Sequence, residues 1–200
     1  MVHFNRYLRS TLNFCTSLAF ALIMSQSAFA KSLNGVTLED KINIENRVLI
    51  LNGMGTRLAT LFKVKVYVAG LYLENPTSDA AKILNSNETK RVQLQFVHDV
   101  SAEKMTRAWR EAFQKTCKPN CAQMKPAMEQ LVGIMQDYRM GDKMSLTFFP
   151  TYVEVVSKNN PPQKLENAAY AKSLLATWLG NEPPNAELKE GMLGHPSNDS

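Results

Sequence analysis

The chain has 200 residues, of which 44% are hydrophobic and 20% are charged, as in ordinary folded globular proteins. Its formal net charge of +5 comes from basic residues that are interspersed with acidic ones, so the composition argues against a nucleic-acid-binding protein. This length is sufficient for one domain with a sizeable core.

The N-terminal segment is predicted to be a secretory signal peptide. Arg6 and Arg9 precede the uncharged apolar stretch TLNFCTSLAFALIMS, and Ala28 and Ala30 occupy the small-residue positions of a cleavage site. This order of basic, apolar and small residues is typical of signal peptides. An uncleaved membrane anchor is the alternative, but the apolar stretch is short for a bilayer span of roughly 20 residues. We therefore expect cleavage after Ala30 and export to the periplasm.

The remaining residues, 31–200, are expected to form a single domain with no further membrane span. Two cysteines remain in this part, within the motif CKPNC. An even number of cysteines in an exported protein suggests a disulfide between Cys117 and Cys121. The alternative is a redox pair, but three residues separate these cysteines instead of the two of a C-x-x-C motif. No histidine lies near enough in sequence to suggest a zinc site, and we predict no metal or cofactor.

The first half of the mature chain is predicted to consist mainly of strands. Two short strands flank the turn signal ENR, and a long strand is predicted within LFKVKVYVAGLYLE at residues 61–74. A turn and one helical turn follow within residues 74–87. In the next strand, KRVQLQFVHDV, apolar and polar residues alternate, which places Val92, Leu94 and Phe96 on one face.

The second half is predicted to contain helices and one hairpin. The segment 101–117 has apolar residues at helical spacing and Ser101 as its N-cap, and a second helix follows, with Pro126 in its first turn. A strand hairpin is predicted to turn near Pro150. A third helix, predicted for residues 165–180 and closed by Gly180, and a last short helix complete the chain. Strands first and helices later indicate an α+β fold, with helices packed on one face of an antiparallel sheet.

Several motifs occur in the same order as in the chalcone isomerase superfamily. They are GMGTR, FKVKVYVAGLYLE, SAEKMT, DKMSLTFFP and SLLATWLGNEPPNAELKEGMLG. The chain resembles this superfamily over residues 36–194, and most closely its bacterial secreted branch. The resemblance implies a large antiparallel sheet with helices layered on one side, an open-faced β-sandwich that encloses a small apolar cleft.

The resemblance assigns a role to Arg57. In the family, the arginine after the glycine turn points into the cleft; it stabilises an anion in the plant enzymes and holds a carboxylate in the fatty-acid-binding branch. A guanidinium group suits this role because it stays charged when partly desolvated and can bind an oxyanion through two parallel hydrogen bonds. The alternative is that Arg57 forms a salt bridge at the edge of the sheet.

Other catalytic positions of the plant enzymes are matched only in part. The resemblance places Tyr67 at the position of a strand threonine and retains Thr177 in the last long helix, so Arg57, Tyr67 and Thr177 are the candidate catalytic and ligand-binding residues. The helix tyrosine and asparagine that contact substrate fall near Ser101 and Ala108, which cannot replace them. We therefore expect electrostatic stabilisation by the arginine to survive and flavonoid positioning to be lost.

Two further features have ordinary structural interpretations. The methionines at helical spacing could line an adaptable apolar pocket, but such spacing is more typical of core residues. His98 could act as a general base, but a half-buried structural histidine is the more common case.

Three functions are compatible with these observations. The favoured one is a periplasmic protein that binds a small apolar or acidic molecule, such as a fatty acid or an aromatic acid, with Arg57 as an anion clamp. The second is an isomerase, an intramolecular lyase of the chalcone isomerase type. The third is a non-catalytic envelope interaction protein whose cleft has collapsed. One fold hosts many functions, so the resemblance alone does not choose among them.

Overall fold

The computed structural model describes residues 30–195, so the predicted signal peptide except its last residue, Ala30, and the last residues of the tail lie outside the described residues. The strands are β1 Ala30–Leu33, β2 Val36–Glu39, β3 Lys41–Ile44, β4 Arg47–Ala59, β5 Val64–Leu73, β6 Lys90–Phe96, β7 Lys143–Phe148, β8 Tyr152–Ser157 and β9 Asn160–Glu166. The helices are α1 Ala80–Asn85, α2 Ala102–Thr116, α3 Cys121–Gly133, α4 Ala168–Leu179 and α5 Ala186–Met192. None of these helices is long and apolar enough to cross a membrane.

The main sheet is antiparallel and follows the chain order β3-β4-β5-β6-β7-β8-β9, and β1 and β2 form a separate hairpin. One face of the main sheet packs against the helices, and the cluster between them is the larger core. It combines apolar side chains such as Leu71, Leu94, Leu146 and Val155 with helix residues such as Met128, Leu131, Leu174 and Trp178. The predicted α+β fold, with helices on one face of an antiparallel sheet, is confirmed.

Part of the other face is covered by the β1–β2 hairpin. Val36 and Leu38 of this hairpin form a second core with Leu49, Leu51 and Val68 of the sheet. The hairpin was not predicted as such, because its strands have four residues each and give only a short alternating pattern.

Most of the methionines that the sequence placed at helical spacing are core residues. Met105, Met124, Met128 and Met144 are each at most 5% exposed and belong to the larger core. Met140, by contrast, is 73% exposed, because it lies in the loop before β7.

Helix α2 begins where the sequence predicted, because the Ser101 side chain accepts a hydrogen bond from the backbone N–H of Lys104. Cys117 follows this helix and forms a disulfide with Cys121, the first residue of α3. The predicted bond is confirmed, and it joins the end of one helix to the start of the next. Pro126 lies beyond the first turn of α3, contrary to prediction, because the helix begins at the second cysteine.

Strand β9 corrects the sequence analysis. Pro161 and Pro162 lie within it, and prolines lower any expectation of a strand. They are tolerated because β9 is the edge of the sheet and pairs only with β8. Leu165 and Glu166, which were predicted to begin the third helix, close this strand instead, and Asn167 caps α4 by accepting a hydrogen bond from the Tyr170 N–H.

Candidate functional site

Strand β4 carries Gly53, Gly55 and Arg57 at alternate positions on the face that the helices cover. Gly53 lies opposite Leu71 of β5, and Arg57 lies opposite Tyr67. Leu71 and Tyr67 both belong to the larger, helix-side core. Residues directly opposite each other in antiparallel strands project from the same face. Arg57 therefore shares the helix-side face with Tyr67.

The two glycines lie inside the strand and not in a turn, which corrects the sequence analysis. A Cβ atom at Gly55 would overlap the carbonyl of Leu188, and one at Gly53 would overlap the carbonyl of Gly191. Helix α5 therefore lies directly against the β4 backbone, an approach that requires residues without a side chain. The turn comes later, at residues 60–63. The alternate spacing of the glycines was the sequence signal for a strand, and it was missed.

Arg57 is half-buried and bonded to backbone carbonyls. Its guanidinium group donates to the carbonyl of Leu58 and, at 3.5 Å, to that of Pro184. Asn185 holds the adjoining loop, since its side chain accepts from the Leu58 N–H at 3.1 Å and donates to the Thr56 carbonyl at 3.0 Å. Within the described part of the chain, no carboxylate forms an ion pair with Arg57. The alternative of a salt bridge at the sheet edge is therefore not found there.

Tyr67 places a hydroxyl group in the core near this cation. The side chain is 9% exposed, and its hydroxyl oxygen accepts a hydrogen bond from Nε1 of Trp178 at 3.2 Å. Burial raises the pKa of Tyr67, while the Trp178 hydrogen bond and the positive charge of Arg57 act in the opposite direction. The phenol is therefore neutral at neutral pH. Its own proton has no acceptor among the described residues and is available to a ligand.

Two tryptophans that the sequence did not mark as functional, Trp178 and Trp109, form an aromatic cluster with Tyr67. Trp178 is fully buried in α4. Its ring packs edge-to-face against that of Trp109 from α2, with 5.6 Å between the ring centroids. The Nε1 of Trp109 is buried and has no hydrogen-bond partner among the described residues. A buried donor without a partner is costly and calls for an explanation. Trp109 is one of the apolar residues at helical spacing in segment 101–117, and this spacing does not show whether its indole N–H has a hydrogen-bond partner.

The other residues that the sequence singled out lie at different places relative to the aromatic cluster. Thr177 is buried in α4, next in sequence to Trp178. Ser101 caps α2, and Ala108 is exposed on the same helix, so neither faces the cluster. His98 is exposed in the loop after β6, which corrects the expectation of a half-buried histidine and removes it as a general base for a buried ligand.

Two of the cavities on the described surface lie elsewhere. One, of about 340 Å³, lies beside α4 and includes Lys90 and Leu175, and the other, of about 510 Å³, lies at the start of β7 and includes Lys158. Neither is lined by Arg57 or Tyr67. The aromatic side chains near the arginine are themselves buried, since Tyr67, Trp109 and Trp178 are each at most 9% exposed. Within the described residues, no three His, Cys, Asp or Glu side chains are grouped closely enough to hold a metal ion.

Comparison with known proteins identifies a family whose sequence model matches the chain and a solved structure with a similar fold. The sequence model of the chalcone isomerase-like family matches residues 30–194. No curated protein matches the chain. The crystal structure of a fatty-acid binding protein from Arabidopsis thaliana is similar, with a TM-score of 0.68 and 15% sequence identity, and the match covers 82% of this chain and 96% of that chain. At this identity the similarity is one of fold.

Proposed function

The chain belongs to the chalcone isomerase-like family, and on this premise we propose that it binds a small apolar molecule with an acidic group, such as a fatty acid, through Arg57 and Tyr67. The observation that carries the proposal is the state of Arg57: its half-buried charge has no carboxylate partner in the described part of the chain. A desolvated charge without a counter-charge is costly, and an anionic ligand would neutralise it.

The neighbouring side chains support an acidic ligand with an apolar body. The neutral Tyr67 hydroxyl has a proton to donate, and the buried indole N–H of Trp109 has no acceptor. The rest of the surroundings are aromatic and aliphatic core residues. An arginine fork with a phenol donor suits a carboxylate, and the apolar walls suit a hydrocarbon or an aromatic ring.

The fold neighbour supports the same class of ligand, since the Arabidopsis protein is a fatty-acid binding protein. In the fatty-acid-binding branch of the family that the sequence resembles, the corresponding arginine holds a carboxylate. The predicted signal peptide supports a periplasmic location for this activity.

Binding requires a local rearrangement. Arg57 must exchange the carbonyls of Leu58 and Pro184 for the carboxylate of the ligand. The aromatic cluster must also separate to admit a ligand, because Tyr67, Trp109 and Trp178 are buried. We expect α4 and the loop before α5 to move away from β4, since they contribute Trp178 and the Pro184 carbonyl.

The test is a titration of the protein with dodecanoic acid and with dodecanol, which has the same chain without the charge. The two tryptophans of the sequence both lie in the cluster, so intrinsic fluorescence reports on the site. Arg57→Ala should weaken binding of the acid by about 1.5–3 kcal/mol, roughly tenfold to a hundredfold, with little change in melting temperature. Arg57→Lys keeps the charge but loses the fork and should also weaken binding.

Arg110→Ala is the matched control, because Arg110 pairs with Glu129 on the exposed side of the helices. It should leave the affinity unchanged. Equal affinity of the wild type and Arg57→Ala, together with a sharply lower melting temperature, would mean that Arg57 is structural. Absence of binding by any fatty acid would favour the envelope interaction protein, and rapid conversion of a chalcone to a flavanone would favour the isomerase.

A further inference from the structure

The β4–β5 hairpin extends beyond the sheet and has a free end. Strand β3 pairs with β4 only up to Ile50, and β6 pairs with β5 only from Tyr67 onward. The segment from Leu58 to Lys65 is therefore a two-stranded ribbon, and no other strand among residues 30–195 pairs with either of its sides. We refer to residues 60–63, at its end, as the hairpin tip.

The hairpin tip presents two large apolar side chains to solvent. Leu61 is 99% exposed and Phe62 is 90% exposed. The turn is nevertheless well defined, since the N–H of Lys63 donates to the Thr60 carbonyl at 3.2 Å and that of Phe62 donates to the Thr60 hydroxyl at 3.3 Å. Single exposed apolar residues are common, but two adjacent ones at the end of a projecting ribbon are typical of an interaction site.

The ribbon is also positively charged. Its sequence LATLFKVK, residues 58–65, contains Lys63 and Lys65 and no acidic residue. Glu187 faces it and lies 3.6 Å from Lys63. Lys65 is exposed and has no carboxylate partner within the described residues. The two lysines of the ribbon therefore keep a net positive charge after the Glu187 carboxylate is counted.

From this juxtaposition we propose that the hairpin tip inserts Leu61 and Phe62 into the surface of an anionic phospholipid membrane, with Lys63 and Lys65 at the level of the headgroups. Apolar side chains at the end of an element and basic residues behind them are the combination that anionic bilayers bind. A protein partner fits less well, because stable protein interfaces bury about 800 Å² on each side and two side chains at a narrow tip offer much less.

This inference does not rest on the proposed ligand. Arg57 immediately precedes this ribbon in β4, so docking would bring the candidate site close to the bilayer. Whether or not the site binds an acid, the contact between tip and membrane can be measured separately.

The first experiment is sedimentation of the full chain with vesicles of phosphatidylcholine containing roughly one third phosphatidylglycerol. The variant Leu61→Ser/Phe62→Ser should lower the partition coefficient by about tenfold or more. The variant Lys63→Gln/Lys65→Gln should lower it severalfold, and so should vesicles of phosphatidylcholine alone. Val48→Ser is the matched control, because Val48 is 54% exposed at the opposite end of β4.

The second experiment is local to the hairpin tip and independent of the apolar residues near the N-terminus. Phe62→Trp places a fluorophore at the tip, and vesicles with brominated acyl chains quench tryptophans that enter the bilayer. Quenching of the variant beyond that of the wild type, whose tryptophans are buried in the core, supports insertion. An equal response of the two chains overturns it.

Two further outcomes would overturn the proposal. Equal partitioning of the wild type and Leu61→Ser/Phe62→Ser would mean that the tip does not contact lipid. A dimer in sedimentation velocity that Leu61→Ser/Phe62→Ser dissociates would mean that the tip contacts a second copy of the chain instead.

Discussion

At the scale of single residues, the Tyr67 hydroxyl joins the sheet to the helix layer. It is the acceptor for Nε1 of Trp178, whose ring is fully buried. An indole N–H that loses its acceptor inside a core keeps its desolvation cost without compensation. The same hydroxyl is a candidate ligand donor, so one atom contributes to both stability and the proposed binding.

Tyr67→Phe should therefore destabilise the protein by about 1–3 kcal/mol, because it removes only the oxygen and leaves the Trp178 N–H unsatisfied. Urea denaturation of the two chains measures the difference in the free energy of unfolding. Tyr152→Phe is the control: no hydrogen bond of the Tyr152 hydroxyl is found in the described part of the chain, and its ring stacks on Phe149 at 4.6 Å. Equal effects of the two substitutions would contradict the role given to the Tyr67–Trp178 bond.

At the scale of elements, the position of α5 is decided by two glycines of β4. Because Gly53 and Gly55 have no side chain, the helix lies on the strand backbone and brings the preceding loop to Arg57. The Asn52 side chain adds a hydrogen bond to the Met192 carbonyl at 2.9 Å at the end of the same helix. This packing, and not a turn, is the reason for the glycines before the arginine.

Gly55→Ala should destabilise the protein by about 1–3 kcal/mol or more, because the new methyl group would overlap backbone atoms of Leu188 that cannot move independently of α5. Gly133→Ala is the matched control, since a Cβ atom at this helical position meets nothing within 4 Å. It should be neutral or stabilising by up to about 1 kcal/mol. Thermal melts of both variants measure the contrast, and a harmless Gly55→Ala would show that α5 is not held against the strand.

The disulfide also acts between elements, because it links α2 to α3. Cys121 lies four positions after Cys117, so the closed loop is short and the bond should contribute only about 2 kcal/mol on the chain-entropy model. Denaturation with and without reductant measures this contribution. Thiol labelling of the unreduced, denatured chain should find no free thiol when the chain has been cleaved after Ala30. The uncleaved chain should show one free thiol, that of Cys15. Two additional labelled thiols would contradict the bond.

At the scale of the whole molecule, buried tyrosines make stability sensitive to alkaline pH. Burial raises the pKa of Tyr67, Tyr138 and Tyr170, and burial is also the main reason that the pKa of Tyr72 is raised to about 12. In the unfolded chain these phenols ionise at about pH 10. These tyrosines therefore add no pH dependence to the free energy of unfolding below about pH 9. Above about pH 10, each of them lowers this free energy by up to about 1.4 kcal/mol per pH unit, until the pH reaches the pKa of that tyrosine in the folded protein.

Lys90 acts in the opposite direction, because burial lowers its pKa and the unfolded chain holds that proton to higher pH. The effect of this one lysine on the free energy of unfolding does not offset the opposite effect of the four tyrosines. Near-ultraviolet titration should show a step in tyrosinate absorbance when the protein unfolds at high pH, and Tyr72→Phe should make the step smaller. A single smooth titration near about pH 10 without such a step would contradict these raised pKa values.

Much of the fold could be predicted because its signals are local. The alternation in β6 and the helical spacing and cap of α2 depend on neighbouring residues alone, and both elements formed as predicted. The disulfide followed from two close cysteines. Strand β9 could not be predicted, because the tolerance of Pro161 and Pro162 depends on its being an edge strand, which is a property of the assembled sheet.

For the candidate site, the sequence by itself selected Arg57 and Tyr67, through family motifs and an arginine beside a buried strand. Only the tertiary structure decided that these two residues lie opposite each other, that Arg57 has no carboxylate partner in the described part of the chain, and that Trp178 binds the Tyr67 hydroxyl. The physical reason is the sequence distance over which each effect acts. Strand and helix patterns depend on residues that are neighbours in sequence. Desolvation and hydrogen-bond partners depend on residues that folding brings together, here from more than a hundred positions apart.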